Sequence, residues 1–148
     1  MRISTNPGDV LVTHGLGSCL GIAAYDPVAR VGGLLHVMMP VSSANPEKAR
    51  ANPYMFVDTG VPAFFRSLES AGAVRRRCRL KIAGGARVNG NDFFAIGRRN
   101  YITLKKMFWK SGTFIDAEDT GGSIARTLYM EMQTGRVWLN KAGQESDL

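Results

Sequence analysis

Residues 15–21 read GLGSCLG, or Gly15-Leu16-Gly17-Ser18-Cys19-Leu20-Gly21: three glycines around a cysteine that follows a serine. The chain on either side is short, apolar and rich in small or β-branched residues, from Asp9 to Thr13 and again from Ser18 to Tyr25. Both stretches predict strands, with the glycine-rich turn between them. The glycines do not make a nucleotide site. A dinucleotide loop needs G-x-G-x-x-G, but Leu20 stands where the third glycine belongs and Gly21 comes one residue late. A P-loop needs Gly-Lys-Ser/Thr, and no lysine is near. The serine-hydrolase elbow G-x-S-x-G fails as well, because Leu16 and Leu20 occupy the glycine positions around Ser18.

Farther along, Asp26-Pro27 starts a turn, and Val31 to Met39 predicts a third strand closed by Pro40. Ser42 to Pro53 is polar and holds Pro46 and Pro53, so it reads as a loop. Val57, Val61, Phe64, Phe65 and Leu68 recur at steps of three and four, the face of a helix that Gly72 stops. Pro62 falls inside this pattern. It marks the first turn, with Asp58 or Thr59 near the N-cap, or else a kink. Arg79 to Ala83 predicts a strand ending in Gly84-Gly85. Asn91 or Asp92 caps a second helix, on which Ile96, Asn100, Leu104 and Phe108 share a face and which Gly112 ends. Thr113 to Glu118 predicts a strand. Ile124 to Gln133 and Arg136 to Asn140 predict a hairpin around Thr134-Gly135, with Leu128, Met130 and Met132 at strand spacing. Lys141 to Leu148 is polar and is expected to fray. The order is not a regular βαβ alternation. It predicts an α+β fold, a single-domain sandwich of mixed β-sheet with flanking helices over residues 1–148.

The composition, 45% hydrophobic and 21% charged over 148 residues, is that of an ordinary globular protein able to bury a core without staples. Two cysteines make no disulfide framework, so the chain reads as cytoplasmic with reduced thiols. The N-terminus lacks an apolar core of signal-peptide length. The longest apolar stretch, Leu34 to Val41, is interrupted by His36 and Pro40 and falls far short of the ~20 residues of a membrane helix. The net charge of +7 speaks to partners and not to fold. The basic run Arg75-Arg76-Arg77-Cys78-Arg79-Leu80-Lys81 reads as a solvated face or as a device that steers the chain toward acidic partners. It has no aromatic stacking platform and matches no nucleic-acid reader motif, so no nucleic acid is expected.

The two histidines, His14 and His36, and the two cysteines, Cys19 and Cys78, form no metal-ligand motif; neither a metal nor another cofactor is expected. A cysteine–histidine pair remains. Glycines beside Cys19 would let a substrate approach and would free backbone N–H groups for an oxyanion. Neighbouring strands would bring Cys19 and His36 together, with Thr13 a candidate to orient the imidazole. Each residue also has a plainer reading. Free cysteine is among the most buried residue types, and His36 between Leu35 and Val37 fits a core position. His14 fits an exposed one. Cys78 reads as an inward-facing strand residue, although its basic neighbours would lower its pKa.

Several segments together resemble the chemoreceptor glutamine deamidase family, CheD. They are Thr13, Gly15-Leu16-Gly17-Ser18-Cys19 and Gly32-Gly33-Leu34-Leu35-His36-Val37-Met38-Met39-Pro40. Lys81-Ile82-Ala83-Gly84-Gly85-Ala86, Ile96-Gly97-Arg98-Arg99-Asn100, Asp119-Thr120-Gly121-Gly122 with Arg126, and Thr134-Gly135 follow in family order. The separations of six residues from Thr13 to Cys19 and seventeen from Cys19 to His36 agree with the family pattern. Leu35 replaces a polar residue common there, and Ala125 stands where a glycine often precedes the arginine.

The resemblance implies a CheD-like cysteine hydrolase fold and a catalytic set of Cys19, His36 and Thr13. The N–H groups of the Gly15, Gly17 and Ser18 stretch would serve substrate approach and the oxyanion. It implies hydrolysis of glutamine side-chain amides to glutamate and ammonia, through a Cys19 thioester and a thiolate–imidazolium pair, on the cytoplasmic helices of chemotaxis receptors. A CheC-type chemotaxis phosphatase is the other implied partner, and a docking role with catalysis secondary is the competing reading. The chain is expected to be a monomer without membrane insertion.

Overall fold

A computed structural model describes residues 1–87 and 95–148. Along the chain, β1 (Arg2–Ser4), β2 (Val10–Leu16), β3 (Leu20–Asp26) and β4 (Val31–Val37) precede the helices α1 (Pro46–Ala51) and α2 (Val57–Ser70). Then come β5 (Arg79–Gly84), α3 (Ile96–Ser111), β6 (Ala117–Thr120), β7 (Arg126–Glu131), β8 (Val137–Lys141) and β9 (Gln144–Asp147). The strands form two sheets, a mixed one ordered β1-β4-β3-β5-β6 and an antiparallel one ordered β2-β7-β8-β9. Among the described strands, only β5 and β6 pair in parallel. This is the α+β single domain that the mixed element order predicts.

The side-chain period of two decides the layers. β3 is buried along its whole length at the centre of the mixed sheet. Its Leu20, Ile22 and Ala24 pack with Leu35 and Val37 of β4 and Ile82 of β5 against Val61, Phe64, Phe65 and Leu68 of α2 and Leu104 and Phe108 of α3. Its Ala23 and Tyr25 face the other way. They join Leu34 in a second core with Leu11 and Leu16 of β2, Leu128 and Met130 of β7, and Leu139 of β8. Both long helices therefore cover one face of the mixed sheet, and the antiparallel sheet covers the other.

Several local expectations change. β2 and β3 do not pair, so GLGSCLG is a crossover between sheets and not a hairpin turn. The polar stretch after Pro40 is not loop throughout: α1 forms there, with Pro46 in its first turn and Asn45 Oδ1 accepting from Lys48 N at 3.0 Å. Six residues bury too little to leave a periodic signature. α2 runs through Pro62, and its N-cap Phe56 makes no side-chain bond. Asp58 does not cap α2 and instead accepts from Ser42 N at 2.9 Å and Ser42 Oγ at 2.8 Å, tying down the segment after β4. The Asn91 or Asp92 cap lies outside the described residues, and α3 starts after Ala95, which is left-handed. The strand expected from Thr113 begins only at Ala117.

The C-terminal residues do not fray. Ala142 (φ 54) and Gly143 (φ 84) form a tight turn with both central φ angles positive, the geometry of a type I′ hairpin. It pairs β9 with β8 from Lys141↔Gln144 to Trp138↔Asp147. Ala-Gly is a weak signal beside Asn-Gly, and an edge strand with four exposed residues has no apolar alternation to read.

The basic run is largely structural. Arg77 Nη2 lies 2.7 Å from Oδ2 of Asp26, whose side chain is fully buried. Burial opposes ionisation of Asp26, yet Arg77 and the N–H groups of Val74, Ala29 and Val28 outweigh it and hold the carboxyl well below its ordinary range. Arg75 stacks 4.2 Å from the Phe65 ring centre. Arg76 and Arg79 remain exposed. Arg77→Ala should cost about 2 kcal/mol near neutral pH, the value of a hydrogen bond to a buried charge. A carboxylate with a depressed folded pKa contributes stability above its unfolded pKa of about 3.9 and loses it as pH falls toward the folded value. The variant's deficit should therefore shrink in acid. Urea midpoints at neutral and acidic pH measure it, and a deficit that does not change with pH would contradict the pairing.

Candidate active site

The crossover is held open by its backbone. β2 slips register between Thr13 and Leu16, and Gly15 takes φ 68, a left-handed conformation that glycine adopts without strain. Gly17 N closes back on the Gly15 carbonyl at 2.8 Å. The chain then enters β3, which pairs with β4 through Leu20↔Val37 and Gly21↔His36. Cys19 precedes this ladder on the same side as Gly21, diagonal to His36. Both side chains face the antiparallel sheet, and both are half-buried, neither sealed nor on opposite faces. Thr13 points inward from β2, and its Oγ1 lies 2.9 Å from His36 Nδ1. The three residues thus come from three places: one sheet, the other sheet, and the link between them.

Three consecutive carbonyls of the crossover are tied into the protein. Gly17 O accepts from Ala86 N at 2.7 Å, Ser18 O from Asn100 Nδ2 at 3.0 Å, and Cys19 O from Gly85 N at 2.8 Å. In a trans peptide the C=O and the following N–H point in opposite directions. Anchoring the Gly17 and Ser18 carbonyls therefore turns the N–H groups of Ser18 and Cys19 away from Ala86 and α3.

Burial pushes the Cys19 thiol above its ordinary value, and its own backbone N–H pulls it partly back. Burial pushes the His36 imidazole below its ordinary value, with the Met1 amino group adding to the effect. Both shifts favour a neutral thiol beside a neutral imidazole over the thiolate–imidazolium pair that the resemblance implies. Cys78 packs inward against the core, but its basic neighbours do not set its pKa. Burial, with Asp26 and Glu69, raises it to about 11 despite the neighbouring arginines. It packs on the helix side of the mixed sheet, opposite Cys19. His14 is exposed, with Nδ1 3.4 Å from Thr127 Oγ1. Among the described residues no group of His, Cys, Asp and Glu could hold a metal, and no helix is long and apolar enough to cross a membrane.

The sequence reading places Asn100 among core residues and assigns it no part in the site. The signal was a polar residue on the Ile96–Leu104–Phe108 face of α3. Gly84 and Gly85, read there as the end of a strand, carry the other side of the crossover.

Thr13 of one sheet bonds His36 of the other, and Cys19 lies diagonal to His36 on the link between the sheets. The class these features define is an α+β domain of two stacked sheets backed by helices. The chain belongs to the CheD family: the family model described as CheD chemotactic sensory transduction matches residues 38–141. The chain is 46% identical over 143 residues, 96% of its length and 89% of the relative's, to a Syntrophus aciditrophicus protein named "Probable chemoreceptor glutamine deamidase CheD 1". It is 43% identical over 148 residues to a Solibacter usitatus protein named "Probable chemoreceptor glutamine deamidase CheD", covering 99% of this chain and 88% of that one. A Pyrococcus abyssi protein of the same name is 41% identical over 135 residues, covering 89% and 82% of the two chains.

Proposed function

We propose that this protein deamidates glutamine side chains of chemotaxis receptors, with Cys19 as nucleophile. The observation that carries the reading is the 2.9 Å contact from Thr13 Oγ1 to His36 Nδ1. With Nδ1–H donating to Thr13, the lone pair of Nε2 is left free to act as a base. Cys19 Sγ attacks the carboxamide carbon as its proton passes to His36 Nε2. The N–H groups of Ser18 and Cys19 receive the oxyanion. The His36 imidazolium then protonates the amide nitrogen, the C–N bond breaks, and ammonia leaves behind a thioester. Water attacks the thioester with His36 again as base, giving glutamate and the free thiol. Thr13, a neutral hydroxyl, orients the ring without adding charge. The names of the relatives support chemoreceptors as the substrate class. Mass spectrometry of a receptor cytoplasmic fragment incubated with the protein tests the reading. Glutamines should gain the mass of amide-to-acid conversion with wild type and not with Cys19→Ala; an unmodified fragment from every receptor of the same cell would overturn it.

The pH dependence follows from the shifts. The reactive form needs His36 neutral, and its pKa is depressed by burial. kcat/KM should therefore fall only below the ordinary histidine value of about 6.5 and stay level to about pH 8, where the thiol is still protonated. A preformed ion pair would instead give a bell whose acid limb is set by a depressed thiol and whose alkaline limb is set by a raised imidazolium.

A further inference from the structure

Asn100 is a fully buried polar residue on α3 whose amide is only half satisfied. Its Nδ2 donates to Ser18 O and to Met38 O, both at 3.0 Å. Its Oδ1 is buried with no hydrogen-bond partner among the described residues. The amide cannot be turned over, because that would set Oδ1 against two carbonyl oxygens. An apolar side chain of the same size would spare this buried acceptor but would take the Nδ2 donor away from both carbonyls. The two carbonyls it joins explain its presence. Ser18 O belongs to the peptide that carries the Cys19 N–H, and Met38 lies two residues beyond His36 in the chain leaving β4. Of the three anchored carbonyls in the crossover, Ser18 O is the one held by a side chain. α3 is itself fixed against the other anchor, since Gly97 packs so closely on Gly85 that a methyl group there would lie 2.6 Å from the Gly85 carbonyl.

We infer that Asn100 is a positioning residue. Its amide sets the plane of the Ser18–Cys19 peptide, so that the Cys19 N–H serves as an oxyanion donor in register with the strand carrying His36. The inference rests on the Cys19 nucleophile proposed above.

The test compares Asn100→Ala and the isosteric Asn100→Asp in a Cys78→Ser background, with Cys19→Ala alongside. Receptor deamidation is measured together with alkylation of Cys19 by iodoacetamide, a reaction that develops no oxyanion. kcat should fall about 10²-fold, as for loss of an oxyanion donor. KM and the alkylation rate should stay within about threefold, a split that marks loss of transition-state stabilisation. Asn100→Asp should also regain rate as pH is lowered, because a protonated carboxyl can donate one of the two hydrogen bonds. Unchanged kcat in either folded variant, parallel loss of deamidation and alkylation, or failure of both variants to fold would each overturn the inference. Full activity in Cys19→Ala would instead remove the nucleophile assignment, so the two failures are distinguishable.

Discussion

Cys19→Ala should abolish release of ammonia from receptor fragments, a loss of ~10⁶-fold if the nucleophile and base act as one unit. His36→Ala should do the same, and the double variant should be no worse than either alone, because neither residue works without the other. Thr13→Ala should cost less, about fivefold, since one neutral hydrogen bond is worth about 1 kcal/mol. All three should stay folded. The side chains are half-buried at the mouth of the crossover, and none sits at the centre of either core. Cys78→Ala is the control. Its thiol is raised to about 11 and lies on the helix side of the mixed sheet, so its removal should leave the rate unchanged. If activity followed Cys78 and not Cys19, the assignment would be lost. Cys19→Ser further separates the two functional readings: catalysis needs the thiol, whereas docking of a CheC-type phosphatase at the same residues would survive.

Gly84→Ala should damage both fold and rate. Gly84 ends β5 at φ 113, a conformation that L residues avoid, and a methyl group there would lie 2.1 Å from the carbonyl oxygen of Cys19. The clash is with backbone, so no rotamer relieves it. The neighbouring Gly85 N–H holds that same carbonyl, and Gly121 N donates to Gly84 O at 2.9 Å, so movement there also disturbs the chain after β6. We expect a loss of about 4 kcal/mol or more in unfolding free energy, the range reached by backbone strain and overpacking together. Folded material should deamidate about 10²-fold more slowly, because displacing a reacting group by about 1 Å costs that much. Thermal unfolding and single-turnover rates measure the two effects. A variant with wild-type stability and rate would show that the crossover is not clamped against β5.

The residues that were legible from sequence share a property: their signal is local. Val57, Val61, Phe64, Phe65 and Leu68 announce α2 by period, Gly112 stops α3 with φ 62, and Leu128 and Met130 alternate in β7. Cys19, His36 and Thr13 were visible because glycines flank the first and because their spacing resembles a known family. Signals that need a partner were not legible. Arg77 reads as one more surface cation until Asp26, 51 residues earlier, is found buried beneath it. Ala142-Gly143 becomes a hairpin turn only because β8 offers an edge to pair with.

By itself the sequence determined the long periodic elements and the α+β class, since periodicity and residue type are properties of short stretches of chain. Tertiary structure alone decided that GLGSCLG joins two sheets, that Asn100 and Gly85 anchor its carbonyls, and that burial pushes the Cys19 thiol up and the His36 imidazole down. Peptide orientation and desolvation arise from groups that meet only on folding, many of them more than sixty residues apart in the chain.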